Sequence, residues 1–183
     1  MANVSGAFQV GDRAVYPAHG VAEVVAIESK EIAGSRKDFY VLKVIHSEMK
    51  LMIPCDGADR AGLRNVADAA IAEQVFEVLR SIEVAVKPGP WNRRFREYSE
   101  LVNSGRLVEV AKVYRDLWRI RPTRELSYGE RRLLEHSRNL LVAELALARG
   151  VDVPAIELEL ESAVRSTAAV AAVVPNGVPD GTV

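Results

Sequence analysis

The chain has 183 residues, with 24 Lys+Arg against 25 Asp+Glu and a net charge of -1. That length holds one domain or two small ones, and 49% apolar residues suffice for a buried core. The charge balance excludes a globally basic nucleic-acid binder, and the single cysteine excludes a disulfide framework or a multi-cysteine zinc site. Three histidines far apart in sequence (His19, His46, His136) leave little for a metal centre. No apolar run of membrane-spanning length occurs, and the opening MANVSGAFQVGDR lacks a basic region followed by an apolar stretch. A cytoplasmic protein without signal peptide or membrane partner is expected.

The overall balance hides a segregation. Residues 1–86 carry 9 basic and 12 acidic side chains, residues 87–138 carry 13 and 7, and residues 139–183 carry 2 and 6. The middle third is a basic island between acidic flanks. A solvated set of helix faces is the simpler account of such a cluster unless the same stretch holds something else suited to nucleic acid.

The first part reads as strands, because short runs rich in Val, Ile, Phe and Tyr alternate with turn residues. The expected strands are Phe8–Val10, Arg13–Tyr16, Val21–Ser29, Phe39–Ile45 and Met49–Pro54. Turns fall at Pro17 to Gly20 and at His46–Glu48, and Ile32-Ala33-Gly34-Ser35 supplies a hairpin. Five short strands in about 50 residues suggest a small twisted barrel of the SH3 or Tudor type.

From about residue 65 the period becomes helical. Asp68 can cap a helix carrying Ile71, Val75, Val78, Leu79 and Ile82. Lys87-Pro88-Gly89-Pro90 fixes a bend, after which Trp91, Phe95, Tyr98, Leu101 and Val102 form one helical stripe ended by Ser104-Gly105. Leu107, Val110, Ala111, Tyr114, Leu117 and Trp118 form the next, ended by Pro122. Ser127-Tyr128-Gly129-Glu130 is a capping box opening a leucine-rich helix that Gly150 closes. Asp152-Val153-Pro154 can start one more helix, to about Ser166. The expectation is therefore an α+β chain. It comprises a small N-terminal SH3/Tudor-like β-barrel (residues 1–65), an all-helical C-terminal domain (66–166) and a tail (167–183) expected to be disordered.

Enzyme templates fail. The sequence has no Gly-rich phosphate loop, no G-x-S-x-G, no H-E-x-x-H and no C-x-x-C. Cys55 could pair with His46 as a nucleophile, but nothing local lowers its pKa, and a structural thiol is the simpler reading. His19 reads as a turn residue and His136 as part of a polar helix face. No catalytic residue, cofactor or metal is expected.

The informative stretch is Trp91-Asn92-Arg93-Arg94-Phe95-Arg96. An aromatic opens a helix just after a rigid bend, three arginines follow, and a helix N-terminus favours phosphate. The arginines can contact phosphates without reading sequence, and an indole can stack on a base or wedge between base steps. Trp91 can equally be the first core residue of its helix, since it shares the stripe of Phe95 and Tyr98. For Trp118, set in a leucine-rich pattern, a core role is the better account.

Here the sequence resembles the CarD/CdnL family of bacterial transcription regulators. The N-terminal resemblance lies in Phe8-Gln9-Val10-Gly11-Asp12, Val15-Tyr16-Pro17, His19-Gly20, Tyr40-Val41-Leu42-Lys43-Val44 and Met52-Ile53-Pro54. The C-terminal resemblance lies in Trp91-Asn92-Arg93-Arg94, Val113-Tyr114-Arg115-Asp116-Leu117, Leu126-Ser127-Tyr128-Gly129-Glu130-Arg131 and Leu141-Val142-Ala143-Glu144-Leu145-Ala146. The motifs span about residues 8–165. The resemblance implies a β domain that pairs with the β subunit of RNA polymerase through Val41, Met52 and Pro54, with Lys30 at the rim. It implies a helical domain that touches promoter DNA at the upstream edge of the transcription bubble, with Trp91 as a minor-groove wedge and Arg93, Arg94 and Arg96 on phosphates. Arg94 can instead pair within the protein. The implied outcome is a longer-lived open complex through contacts indifferent to sequence, made by a monomer. A protein–protein adaptor that docks on polymerase without touching DNA is the alternative.

Overall fold

The computed structural model describes residues 8–47, 49–87 and 89–171, with side chains as far as residue 166. Residues 1–7, Glu48 of the expected turn, Pro88 of the expected bend and most of the expected tail lie outside the described residues.

Five antiparallel strands come first: β1 (Arg13–Tyr16), β2 (Gly20–Ile32), β3 (Ser35–Val44), β4 (Lys50–Pro54) and β5 (Arg64–Asn65). Their order in the sheet is β4-β3-β2-β1-β5, so β4 and β5 form its edges. The β2–β3 hairpin turns through Ala33 and Gly34, both at positive φ (51° and 76°), as a two-residue hairpin turn matched to strand twist requires. A bulge between Val24 and Ala26 bends β2. The strand set differs from the expectation at one point. Phe8–Val10 forms no strand; Phe8 instead plugs the end of the sheet, its ring edge-on to Tyr40 at 5.9 Å and its N–H donating to the Tyr40 hydroxyl. The fifth strand is β5, too short to carry an alternating pattern.

Five helices follow: α1 (Ala69–Arg80), α2 (Trp91–Asn103), α3 (Leu107–Ile120), α4 (Tyr128–Arg149) and α5 (Val153–Ala171). Asp68 caps α1 through the Ile71 N–H, and the capping box of Ser127 and Glu130 opens α4. α5 runs past Ser166, because its Ala/Val-rich continuation lacks a stop signal. The fold is α+β, and its β part is Tudor-like.

Each part has its own core. Ala14, Ala22, Val24, Leu42 and Ile53 fill the β part, while Phe76, Leu79, Tyr98, Tyr114, Leu117, Leu141 and Leu160 fill the helical part. Between them Val15 and Val21 pack on Ala143 of α4. A polar clasp locks the same seam. The Arg64 guanidinium is bidentate on Glu144, with Nη2 2.9 Å from Oε2, and also donates to Gly105 O at 2.7 and 3.0 Å. The Ala67 N–H adds a bond to Glu144 Oε1 at 2.9 Å. Gly105 sits at φ +70°, and a Cβ there would lie 3.0 Å from Pro17 Cγ. The α2–α3 turn thus needs both the left-handed backbone and the missing side chain to accept the β1–β2 turn.

Candidate nucleic-acid and polymerase interfaces

α2 begins at Trp91, directly after Pro90, whose carbonyl accepts from the Arg94 N–H at 3.2 Å. The Trp91 ring rests on Gly129 in the first turn of α4, where a Cβ would stand 3.0 Å from its Cζ2. The Phe95 ring lies 5.3 Å away, tilted by 52°, and the Arg94 guanidinium lies 5.5 Å from the indole. Trp91 is half-buried and Phe95 is 43% exposed, whereas Tyr98 is buried. The stripe therefore splits. Tyr98 and Val102 enter the core, whereas Trp91 and Phe95, nearer the start, form a held aromatic pair that reaches the surface.

Electrostatics fix this seat. Glu130, buried at the start of α4, accepts from Arg94 at 3.1 Å, from Arg124 at 2.9 Å and from the Ser127 N–H at 2.9 Å. The Arg124 hydrogen bonds, partly opposed by burial, pull the Glu130 carboxyl down to about 2. Arg94 also donates to Gly89 O. Of the three arginines expected on phosphates, Arg94 is thus turned inward, and its side chain is only 13% exposed. A buried carboxylate holds it there, which the local sequence does not reveal. Arg93 is exposed, ion-paired with Glu97 at 3.5 Å and bonded to Lys87 O. Arg96 stands in solvent, 4.0 Å from an equally exposed Glu100, a pairing too weak to hold it.

Other side chains join this surface that sequence reasoning did not select. Tyr128, next to Gly129, is 70% exposed, and Arg132 lies 5.9 Å over its ring. The capping box placed Tyr128 at a helix start, but only the packing of α4 on α2 brings it beside Trp91. Burial and the Asp116 carboxylate push the Tyr98 hydroxyl up to about 12, so it stays protonated beneath the surface.

In the β part, Val41 pairs with Met52, Phe39 with Pro54, and Lys30 with Lys37. Directly opposed residues share a face and successive residues change face, so Lys30, Val41, Met52 and Pro54 all lie on the face opposite Tyr40, Leu42 and Ile53. Lys30 Nζ sits 3.2 Å from Met52 Sδ. β4 is an edge, Met52 is 41% exposed, and Val41 is buried among its neighbours. The four residues form one edge-facing patch with an apolar centre, and at its rim Lys30 lies 3.8 Å from Glu28.

Burial pushes the Cys55 thiol up, the opposite of an activated nucleophile. His136, expected on a polar face, is half-buried at the seam and bonds the backbone of Ala18. With His19 and His46 it lines a cavity of about 200 Å3, yet among the described residues no three ligating side chains are grouped to hold a metal. Among the described residues no helix is long and apolar enough to cross a membrane.

Two family models match this chain: "CarD-like/TRCF RID domain" over residues 8–67 and "CarD, C-terminal domain" over residues 74–161. The Bacillus subtilis (strain 168) protein named "Putative transcription factor YdeB" is 30% identical over 144 residues, 79% of this chain and 94% of that protein. A solved structure, "CdnLNt from Myxoccoccus xanthus", is 42% identical over a stretch covering 36% of this chain and 93% of that one, with a TM-score of 0.30. The matched segments include both the β-sheet patch and the Trp91 surface, and the chain belongs to the CarD/CdnL family of transcription factors.

Proposed function

We propose that this protein is a cytoplasmic, monomeric regulator that docks on the RNA polymerase β subunit and lengthens the life of open promoter complexes. The β4 edge, with Val41, Met52 and Pro54 on its outer face and Lys30 at the rim, adds a strand of the β subunit. The helical domain then meets promoter DNA at the upstream edge of the bubble. Trp91 wedges into the minor groove there, and Arg93 and Arg96 contact phosphates, so the interaction carries little sequence information. Arg94 acts indirectly, holding the indole in place.

The observation that carries this reading is the setting of Trp91. One side of the indole is pinned by Gly129 and Arg94, and the residue keeps exposure beside Phe95. A pinned aromatic loses little conformational freedom on binding. The Arg64–Glu144 clasp makes the docked β part a stiff anchor, so the DNA-facing surface acts at high effective concentration. Weak contacts then suffice, because about 1.4 kcal/mol slows bubble collapse roughly tenfold if the transition state for collapse lacks the wedge.

A photoreactive side chain at position 91 tests the placement. Crosslinks to upstream-fork DNA in the polymerase–promoter complex, lost with the charge-reversed pair Arg93→Glu and Arg96→Glu, support it. An adaptor that never touches DNA gives no such crosslinks. A Met52→Glu variant that still binds polymerase at full affinity contradicts the docking face.

A further inference from the structure

Beneath α2 lies a cavity of about 480 Å3. Its walls are Val84 and Val86 from the segment preceding α2, Arg94 from α2, Arg119 and Ile120 from α3, and Arg124 from the following turn. The charges around it do not cancel. Four guanidinium groups (Arg94, Arg115, Arg119, Arg124) stand against two carboxylates, Asp116 and Glu130.

Both carboxylates are fully engaged. Asp116 Oδ1 accepts from Arg115 Nε at 3.1 Å and Nη2 at 2.9 Å, while Oδ2 accepts from the backbone N–H groups of Ala85 and Val86. Glu130 serves Arg94 and Arg124. Arg119 is left over. Its Nη2 donates to the carbonyls of Ser81 at 2.6 Å and Leu79 at 3.4 Å, but its Nε is buried and finds no acceptor among the described residues. Burial, and then the neighbouring Arg115, pull its pKa down, and the Asp116 carboxylate opposes them only in part. A partly desolvated cation whose charge is incompletely balanced is costly, and an anion delivered from solvent relieves that cost.

We propose that this cavity binds a small organic anion, a phosphate or carboxylate carried on a compact apolar body. Arg119 supplies the principal charge, Arg94 and Arg124 flank it, and Val84, Val86 and Ile120 take the apolar part. The volume suits a small ligand rather than a single ion. Gly89 and Arg94 belong both to this wall and to the support of Trp91, so an occupant bears directly on the seat of the half-buried indole. The inference goes beyond the polymerase reading and does not depend on it, since binding is measured on the free protein.

Phenyl phosphate, benzoate and inorganic phosphate are each titrated into the full chain. Binding is followed by calorimetry and by the Nε–H NMR signal of Arg119. The expected result is one-site, saturable binding of phenyl phosphate or benzoate that shifts the Arg119 signal, with inorganic phosphate weaker for want of an apolar body. Arg119→Lys loses the fork geometry, and Val84→Glu puts a repelling charge at a 63% exposed position of the wall. Each is expected to weaken binding about tenfold or more, with an unchanged far-UV spectrum. Val84→Glu, which removes no internal contact of Arg119, keeps the test valid if Arg119→Lys fails to fold. No saturable binding, equal affinity in the variants, or inorganic phosphate binding as tightly as phenyl phosphate overturns the proposal.

Discussion

Replacing Glu130 with Gln probes the support beneath the half-buried indole. The carboxylate is buried and receives Arg94, Arg124 and the Ser127 N–H, and its pKa falls from the ordinary glutamate range to about 2. A drop of that size corresponds to about 3 kcal/mol of folding stability at neutral pH. The amide keeps one acceptor but turns an N–H2 toward a guanidinium, so most of that stabilisation is lost. The carboxylate's advantage is fully present above its unfolded pKa, near 4.5, and disappears as pH falls toward 2. Urea unfolding followed by circular dichroism is therefore expected to place Glu130→Gln about 3 kcal/mol below the parent near pH 7, and less than half of that below it near pH 3. A gap under about 1 kcal/mol near neutrality, or one that does not change with pH, refutes the assignment.

The seam gives three further expectations. Arg64→Met strands the buried Glu144 carboxylate and is expected to cost about 3 kcal/mol in chemical unfolding; a loss within experimental error contradicts the clasp. Gly105→Ala combines a left-handed backbone with a Cβ crowding Pro17, for a loss of about 1–2 kcal/mol seen as a lowered thermal midpoint. Burial, opposed in part by the bond to the Ala18 backbone and aided by the charges of His19 and Arg132, lowers the pKa of His136, so its neutral form favours the closed seam. That contribution is complete above the ordinary histidine pKa, near 6.5, and is lost as pH falls below it. Hydrogen exchange at the His19 amide, corrected for intrinsic rates, is expected to speed up in mild acid in the parent and much less in His136→Gln.

Much of this architecture is legible in the sequence because local chemistry writes it. The capping residues Asp68 and Ser127, the Ala33–Gly34 hairpin and the leucine period of α4 act within a few residues of themselves. What escapes is tertiary. The period of α2 does not tell that Phe95 faces outward while Tyr98 is buried, since the difference depends on how far α4 extends alongside and on Gly129 being small enough to seat an indole. The inward turn of Arg94 is set by a carboxylate 36 residues away. β5 is two residues long, below what an alternating pattern needs. All three histidines look unrelated along the chain, yet the seam brings them to one cavity.

Trp91 is proposed to act where the DNA strands part, and the lifetime of open promoter complexes tests that most directly. Polymerase alone, polymerase with the parent protein and polymerase with Trp91→Ala are compared at saturating protein. The variant loses only a half-buried ring on the surface, so fold and polymerase binding are expected to persist. The parent is expected to prolong the lifetime roughly tenfold for about 1.4 kcal/mol of wedge contact, and the variant to return it close to that of polymerase alone. Equal lifetimes with parent and variant contradict the central claim.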